Sequence, residues 1–199
     1  MIDENVTKNF GFFDKIRYLF FKPSLFFDKI KEERGIKKAF IIYLTLTLLI
    51  ILLLYFVPRF FTPKSYRFSE SISTGIAITL YLIGIFWTFI YSFLIHIIVL
   101  IFNKSAKYEA TYKAYTYSNI PFMFFMGITY LFTLLGNFFG ISILFLIGIS
   151  IGFFSLVYSI FLGIWGLSNL HNITKLKASI VILFPLIFFV LWYFSYIFR

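Results

Sequence analysis

The sequence predicts an all-α fold: a polytopic membrane bundle of five transmembrane helices, preceded by one or two N-terminal interfacial amphipathic helices. Three observations carry that prediction. Of the 199 residues 61% are hydrophobic and 24% aromatic, above the apolar half of an ordinary globular domain, so lipid is the main solvent. Residues 141–167 form a run of twenty-seven positions without a charge, about 40 Å long as a helix and enough to cross a hydrocarbon core of about 30 Å. One side of that run is made of small residues. At about 100° per residue, Gly148, Gly152, Ser155, Ser159, Gly163 and Gly166 share a sector of about 80°, with Leu146, Phe153, Phe154, Val157, Phe161 and Ile164 opposite. Helices in lipid gain little by hiding apolar surface from one another, so close association depends on contact at small residues. The row is therefore the expected helix-packing seam, within one bundle or between two copies of the chain, and Leu at Gly152 or Gly163 is expected to overpack it.

The elements follow in order. Residues 1–35 form a cytoplasmic interfacial segment and residues 36–199 the transmembrane domain. Within residues 5–22, Phe10, Phe12, Phe13, Ile16, Leu19 and Phe20 alternate with Lys8, Lys15, Arg17 and Lys22, a composition suited to the headgroup layer. Pro23 interrupts it, Ser24 is the expected cap of a second short helix, Phe26, Phe27 and Ile30 form its apolar side, and Gly35 is its expected stop. The first span, residues 39–57, ends before Pro58, and a loop covers residues 59–70. The second span, 76–102, carries Trp87 and His96. The third, 119–135, has Pro121 in its first turn, where the missing amide hydrogen is tolerated. The turn 136–140 permits only an antiparallel hairpin into the fourth span, 141–167. The fifth, 180–198, contains Pro185 as a kink.

Topology comes from the cations. Fourteen Lys and Arg fall on the side of the N-terminus and four, Arg59, Lys64, Arg67 and Arg199, on the other. By the positive-inside rule the N-terminus is cytoplasmic and the C-terminus outside. Aromatics at the boundaries agree: Tyr112, Tyr115, Tyr117 and Trp165 inside, Tyr55, Trp192, Tyr193 and Tyr196 outside. The net charge of +10 thus points to anionic headgroups beside apolar spans, and nucleic acid is not an expected partner. The first apolar run is too long for a signal peptide and lacks a cleavage site, so no cleavable leader is expected.

Chemistry is sparse. With no cysteine, disulfides, thiol catalysis and thiolate metal sites are excluded. Residues 114–174 carry no formal charge, which argues against a proton-coupled transporter, an ion pump or an intramembrane protease. His96 and His171 are the sole imidazoles, and two histidines without a nearby acid are a poor metal site. No catalytic residue, cofactor or metal is expected. An enzyme would need an acid–imidazole pair such as Glu109 with His171 in a cleft, whereas Glu109 reads as a solvated loop charge. What remains is a polar strip on the cytoplasmic side, drawn from the N-terminal segment, the approach to the third span and the link between the fourth and fifth.

Short motifs in that strip carry a resemblance. Pro23, Phe26, Phe27 and Ile30, then Tyr112, Ala114, Tyr115 and Pro121, then Trp165, Gly166, Leu167, Ser168, His171, Lys175, Lys177 and Ala178 resemble the Yip-domain family, five-span membrane proteins with a cytoplasmic N-terminus. Its eukaryotic members are implicated in vesicle traffic, organelle shape and recruitment of Ypt/Rab GTPases. The Asp-Leu-aromatic-Gly-Pro element of those members is absent, so a small GTPase is not carried over as a partner. The chain is more similar to the short prokaryotic branch, which implies a prokaryotic cell membrane. The resemblance implies a cytoplasmic interaction face built from Pro23, Phe26, Phe27, Tyr112, Tyr115, Pro121, Trp165, His171, Lys175 and Lys177. The expected function is non-enzymatic: membrane organisation, shaping or partner scaffolding through that face, with Phe12, Phe13, Phe26 and Phe27 as insertion anchors and Lys22, Lys29, Lys175 and Lys177 on headgroups. Expected partners are the bilayer, a second copy of the chain or another membrane protein. The alternative is a carrier or lipid-handling protein for an apolar or weakly polar substrate.

Overall fold

A computed structural model describes residues 11–61 and 67–197. Among the described residues there are seven helices: α1 (Phe12–Phe21), α2 (Pro23–Glu32), α3 (Lys37–Phe61), α4 (Arg67–Phe102), α5 (Tyr108–Phe139), α6 (Ser142–His171) and α7 (Lys175–Ile197). Four stretches among the described residues, Lys37–Val57, Leu82–Phe102, Tyr108–Phe139 and Ser142–His171, are long and apolar enough to cross a bilayer. Large apolar side chains such as Phe86, Ile101, Phe153, Phe154, Phe161 and Phe188 point outward, a surface that water would not tolerate but acyl chains solvate. The chain is a multi-pass integral membrane protein.

The closest packing in the bundle is between α5 and α6, joined as an antiparallel hairpin. The turn is tighter than residues 136–140: α5 continues to Phe139, and Gly140, in the left-handed region at φ 66°, caps it by donating to the Gly136 carbonyl. Gly136 lies inside α5 because α6 begins against it; a Cβ there would stand 3.1 Å from the Phe145 amide nitrogen. Along the small-residue row, a Cβ on Gly148 would sit 3.0 Å from the Thr129 carbonyl oxygen and one on Gly152 3.3 Å from Thr129 Oγ1. Thr129 Oγ1 donates to the Gly148 carbonyl at 3.0 Å, and Ser155 returns its proton to the Gly152 carbonyl at 2.7 Å. Further along, Gly163 meets Ile182 of α7, and Gly166 meets Phe27 of α2 and Ala114 of α5. The row is therefore occupied within one chain, by three neighbouring helices. On the other side of α5 lie α3 and α4, and α7 bridges α6 and α4.

Several expected boundaries move. Pro121 is in the interior of α5, not its first turn, because the helix starts at Tyr108. Its ring crowds the carbonyls one turn earlier and supplies no amide hydrogen; in that turn the Ser118 carbonyl accepts Ser159 Oγ of the row at 2.8 Å. That carbonyl is next to the Tyr117 carbonyl, the one that loses its helical donor at Pro121. Pro58 does not end α3, which continues to Phe61, and α4 is already helical from Arg67, so most of the 59–70 loop is absorbed into helix. Ser24 is not the cap of α2: Pro23, with its φ already suited to a first helical turn, starts it. Glu33 ends that helix, and Gly35, at φ 76°, lies in the link to α3. The fifth expected span falls on α7, which starts earlier, after Asn172 caps α6 in the left-handed region. Expectations for Lys8, Phe10, Lys64, Phe198 and Arg199, and for the side chains of Pro58, Arg59, Arg67, Trp192, Tyr193 and Tyr196, lie outside the described residues.

The geometry ranks the glycines. Gly148→Ala meets backbone, which cannot yield, and should cost about 1–3 kcal/mol. Gly84→Ala on α4, where nothing lies within 4 Å, should be neutral or slightly stabilising, since alanine is the better helix former. Thermal unfolding of the two variants in detergent checks the order, and equal stabilities would remove the α5–α6 contact as the reason for the small residues.

Candidate functional site where the N-terminal helices dock

The N-terminal helices are part of the core. In α1 the four-residue spacing of Lys15 and Leu19 puts both on the buried side, while Phe13 (83%) and Phe21 (78%) remain exposed. The Lys22 amide closes α1 on the Tyr18 carbonyl, and Pro23 starts α2 in a new direction. In α2, Phe26, Phe27 and Ile30 share one face and are all fully buried. The Phe27 ring occupies the hollow at Gly166, where a Cβ would come within 2.8 Å of it. Phe26 meets Phe27 and Tyr117 edge to face, at 5.1 and 5.0 Å between centroids. Tyr158 of α6 donates to the Phe20 carbonyl at 2.9 Å, holding the last turn of α1. Phe26 and Phe27, expected as insertion anchors, thus have no surface to insert, because Gly166 and Ala114 leave a hollow that the rings fill. Phe12 and Phe13 stay on the outside, where Phe21 and Leu25 (48%) join them.

Charge is buried at the same junction. Lys113 of α5, 3% exposed, donates to the Glu33 carbonyl at 2.5 Å, the Ile30 carbonyl at 3.3 Å and Glu109 Oε1 at 3.0 Å. It caps the C-terminal end of α2, whose last carbonyls lack helical donors and attract a cation. Lys15 of α1 pairs with Glu33 Oε1 at 2.5 Å, and the exposed Lys38 stands 3.9 Å from the same oxygen. Lys15 Nζ also lies 5.9 Å from the Tyr117 ring centroid, within cation–π range. Glu109 is therefore not a solvated loop charge but a paired residue in the first turn of α5.

Beside this junction a polar contact ties α4, α5 and α6. Thr111 Oγ1 lies 3.0 Å from His96 Nδ1 and 2.8 Å from His171 Nε2. One hydroxyl proton serves one of these nitrogens, so the other imidazole is the donor. Asn103 Nδ2 donates to the His171 carbonyl at 2.8 Å. Above His96, at four-residue steps on α4, Ser92 and Thr88 are also buried, and Ser92 Oγ lies 3.0 Å from Tyr108 Oη. A cleft of about 450 Å³ opens here, between α2, the α4–α5 loop and the end of α6; Arg34, Lys107, Glu109 and His171 are among its lining residues. Glu109 and His171 thus share a cleft, with Glu109 engaged by Lys113 and His171 by Thr111.

The residues expected on the interaction face separate into groups. Phe26 and Phe27 pack with Gly166, and Pro23 starts their helix. Tyr112 is buried against Phe89 (4.9 Å), and Tyr115 meets Tyr91 (5.1 Å), so both face α4. Pro121 is buried within α5. Lys175 and Lys177 are exposed, with their ammonium groups 5.2 Å from the Trp165 ring and 5.9 Å from the Phe102 ring. Not anticipated were Lys15, Glu33, Lys113, Tyr117 and Tyr158. The four-residue spacing of Glu109 and Lys113 was the available signal.

A family model described as the Yip1 domain matches residues 17–197. No curated protein and no solved structure matches the chain.

Removing one member of a buried ion pair leaves the other uncompensated, at a cost of about 3 kcal/mol or more. Lys15→Met should therefore lower the thermal stability of the purified protein strongly and expose residues 11–34 to protease. The double change Lys15→Met with Glu33→Gln should recover most of the loss. A single variant as stable as the parent would show that the pair does not hold the N-terminal helices.

Proposed function

The chain belongs to the Yip1 domain family, and from that premise we propose that it is a non-enzymatic five-span membrane protein that shapes or organises the bilayer from its cytoplasmic face. The spans are α3 to α7; α7, with 23 residues, reaches about 35 Å, sufficient for a fifth crossing. An odd number of spans and the excess of Lys and Arg beside the N-terminus put α1 and α2 at the cytoplasmic headgroup layer.

One observation carries the proposal: α1 and the start of α2 present Phe13, Phe21 and Leu25 outward beside Arg17 and Lys22, which with Tyr18 and Phe21 line a second hollow of about 320 Å³. Rings among cations suit the boundary between headgroups and acyl chains, where an inserted helix displaces lipid in one leaflet. Because the helices behind that face are held to the spans by Phe26, Phe27, Lys15 and Lys113, the displaced lipid acts on the whole bundle. The family's eukaryotic members, implicated in organelle shape and vesicle traffic, give the same direction. Lys29 of α2 is directed over the Tyr18 ring at 5.5 Å, which leaves Arg17 of α1 and Lys22 at its end as the principal headgroup contacts of the N-terminal helices.

A carrier for a weakly polar substrate is the second reading, and the buried row Thr88, Ser92, His96 and Thr111 between α4 and α5 is what favours it. The row is knitted into hydrogen bonds with Gly84, Phe89, Tyr108 and His171, which suits a structural seam better than a path.

The test is reconstitution of the full chain into vesicles containing phosphatidylglycerol. The parent protein should shift the vesicles toward smaller radii or tubules. Phe13→Ser, Phe21→Ser and Leu25→Ser together should reduce that effect by about half or more, since each buried CH₂ contributes about 0.8 kcal/mol to insertion, while thermal stability stays unchanged. Equal remodelling by the two proteins would refute the wedge.

A further inference from the structure

We propose that the cleft between α2, the α4–α5 loop and the end of α6 binds a phosphate group and so straps the N-terminal helices to the bundle. Most carboxylates in this region are already neutralised. Glu33 is engaged by Lys15 and Lys38, and Glu109 by Lys113. Of the remaining charges, Lys31 meets only the neutral amide oxygen of Asn172, at 2.7 Å, and Arg34 and Lys107 have no ion-pair partner among the described residues. Glu32 is the lining carboxylate without a charged partner among the described residues. Among those residues, three lining cations against one lining acid lack a charged partner, which leaves the cleft positive.

The backbone adds to that. Lys107 is the N-cap of α5 and no side chain caps this end; the Ala110 and Thr111 amides bond the Lys107 carbonyl, the amides before them lack helical acceptors at the positive end of this 32-residue helix, and the first-turn acid, Glu109, is held by Lys113. Arg34 offers a planar fork matched to two oxygens of one phosphate, and Lys107 a compact ammonium. The volume, about 450 Å³, is in the range that holds a small polar ligand. Arg34 lies just past α2 and Lys107 just before α5, so an anion between them adds a link across the junction that Lys113 spans from below. A ligand that binds only the docked state stabilises it by mass action.

Phosphate at this position has two sources, a lipid headgroup of the adjoining leaflet or a phosphorylated solute. The full chain in nanodiscs of neutral lipid is unfolded by heat in inorganic phosphate and in chloride at equal ionic strength, then again in discs containing phosphatidylglycerol. Stabilisation by phosphate in neutral discs identifies a solute site, and stabilisation by phosphatidylglycerol alone a headgroup site. In either case Arg34→Gln with Lys107→Gln should raise the apparent dissociation constant about tenfold or more, as expected for loss of two charge-assisted contacts. In neutral discs Arg17→Gln with Lys22→Gln should leave the response to inorganic phosphate intact even if vesicle remodelling is lost, and in phosphatidylglycerol discs the loss on changing Arg34 and Lys107 should persist in the Arg17→Gln, Lys22→Gln background, which separates the site from the wedge. No stabilisation in either arm, or a response that survives the Arg34 and Lys107 changes, overturns the proposal.

Discussion

The contact on which this molecule depends is the approach of α5 to α6. In lipid, apolar helices have no solvent to escape by pairing, and an interhelical hydrogen bond contributes only about 0.6 kcal/mol on average. Three such bonds, Thr129 to Gly148, Ser159 to Ser118 and Thr111 with His171, therefore do not account for the association, and the many weak contacts permitted by missing side chains must. Backbone reaches backbone at Gly136 and Gly148, and side chains fill the space at Gly163 and Gly166. The serines of the row add something glycine cannot. Ser159 supplies a donor to the Ser118 carbonyl across the helix pair, one residue from the Tyr117 carbonyl that loses its helical donor at Pro121. With that pair set, α5 offers its far side to α3 and α4, and α6 offers its C-terminal end to α2 and α7.

The same row explains why α1 and α2 are docked. Gly166 is where the small-residue stripe leaves the zone shared with the middle of α5, and the hollow it creates admits a phenylalanine ring. Phe27 enters, Phe26 turns edge-on to Tyr117, and the end of α2 then sits above Lys113. Burying that ammonium is tolerable because it has three oxygen partners. Buried ion pairs add little net stability relative to apolar side chains of similar size, but their loss when a partner moves away is costly. Any shift of α2 along the groove strands Lys113 and Lys15 together. Aromatic packing provides the affinity of the junction, and the charges restrict it to one register.

Hydropathy made four membrane spans among the described residues and the hairpin legible in the sequence, since a run of twenty-seven uncharged residues has few other uses. The stripe on residues 141–167 was legible for a related reason: periodicity along one helix needs no knowledge of its neighbours. Its partners were not legible, because nothing in Gly166 itself says that Phe27 will arrive. Pro121 misled because a proline near the start of an apolar run looks like a helix beginning, whereas the polar residues before it, from Tyr108 on, are helical and turned inward. Lys15, Glu33 and Lys113 lie in polar, mixed-charge segments and read as charges at the headgroup side, and Glu109 reads as a solvated loop charge. Only the fold shows that the segments face one another and exclude water. The short motifs that carry the resemblance, Pro23 with Phe26 and Phe27, and Trp165 with Gly166, include residues that meet in the structure, Phe27 against Gly166.

An amphipathic helix tethered by a flexible link finds its own depth in a membrane and moves in and out with the lipid composition. That freedom is absent here. The depth of Phe13 and Phe21 is tied to Phe26 and Phe27, whose position is set by Gly166, and through it by where α6 sits in the bilayer. In the proposed wedge, lipid displaced by α1 would push against spans that cannot rise with it, and the strain would be relieved by bending the leaflet instead of by expelling the helix. On that proposal the buried lysines would turn a weak interfacial affinity into a mechanical load on the membrane. The charges inside the junction, more than the rings outside it, would then govern the work that the outward face of α1 does on the bilayer.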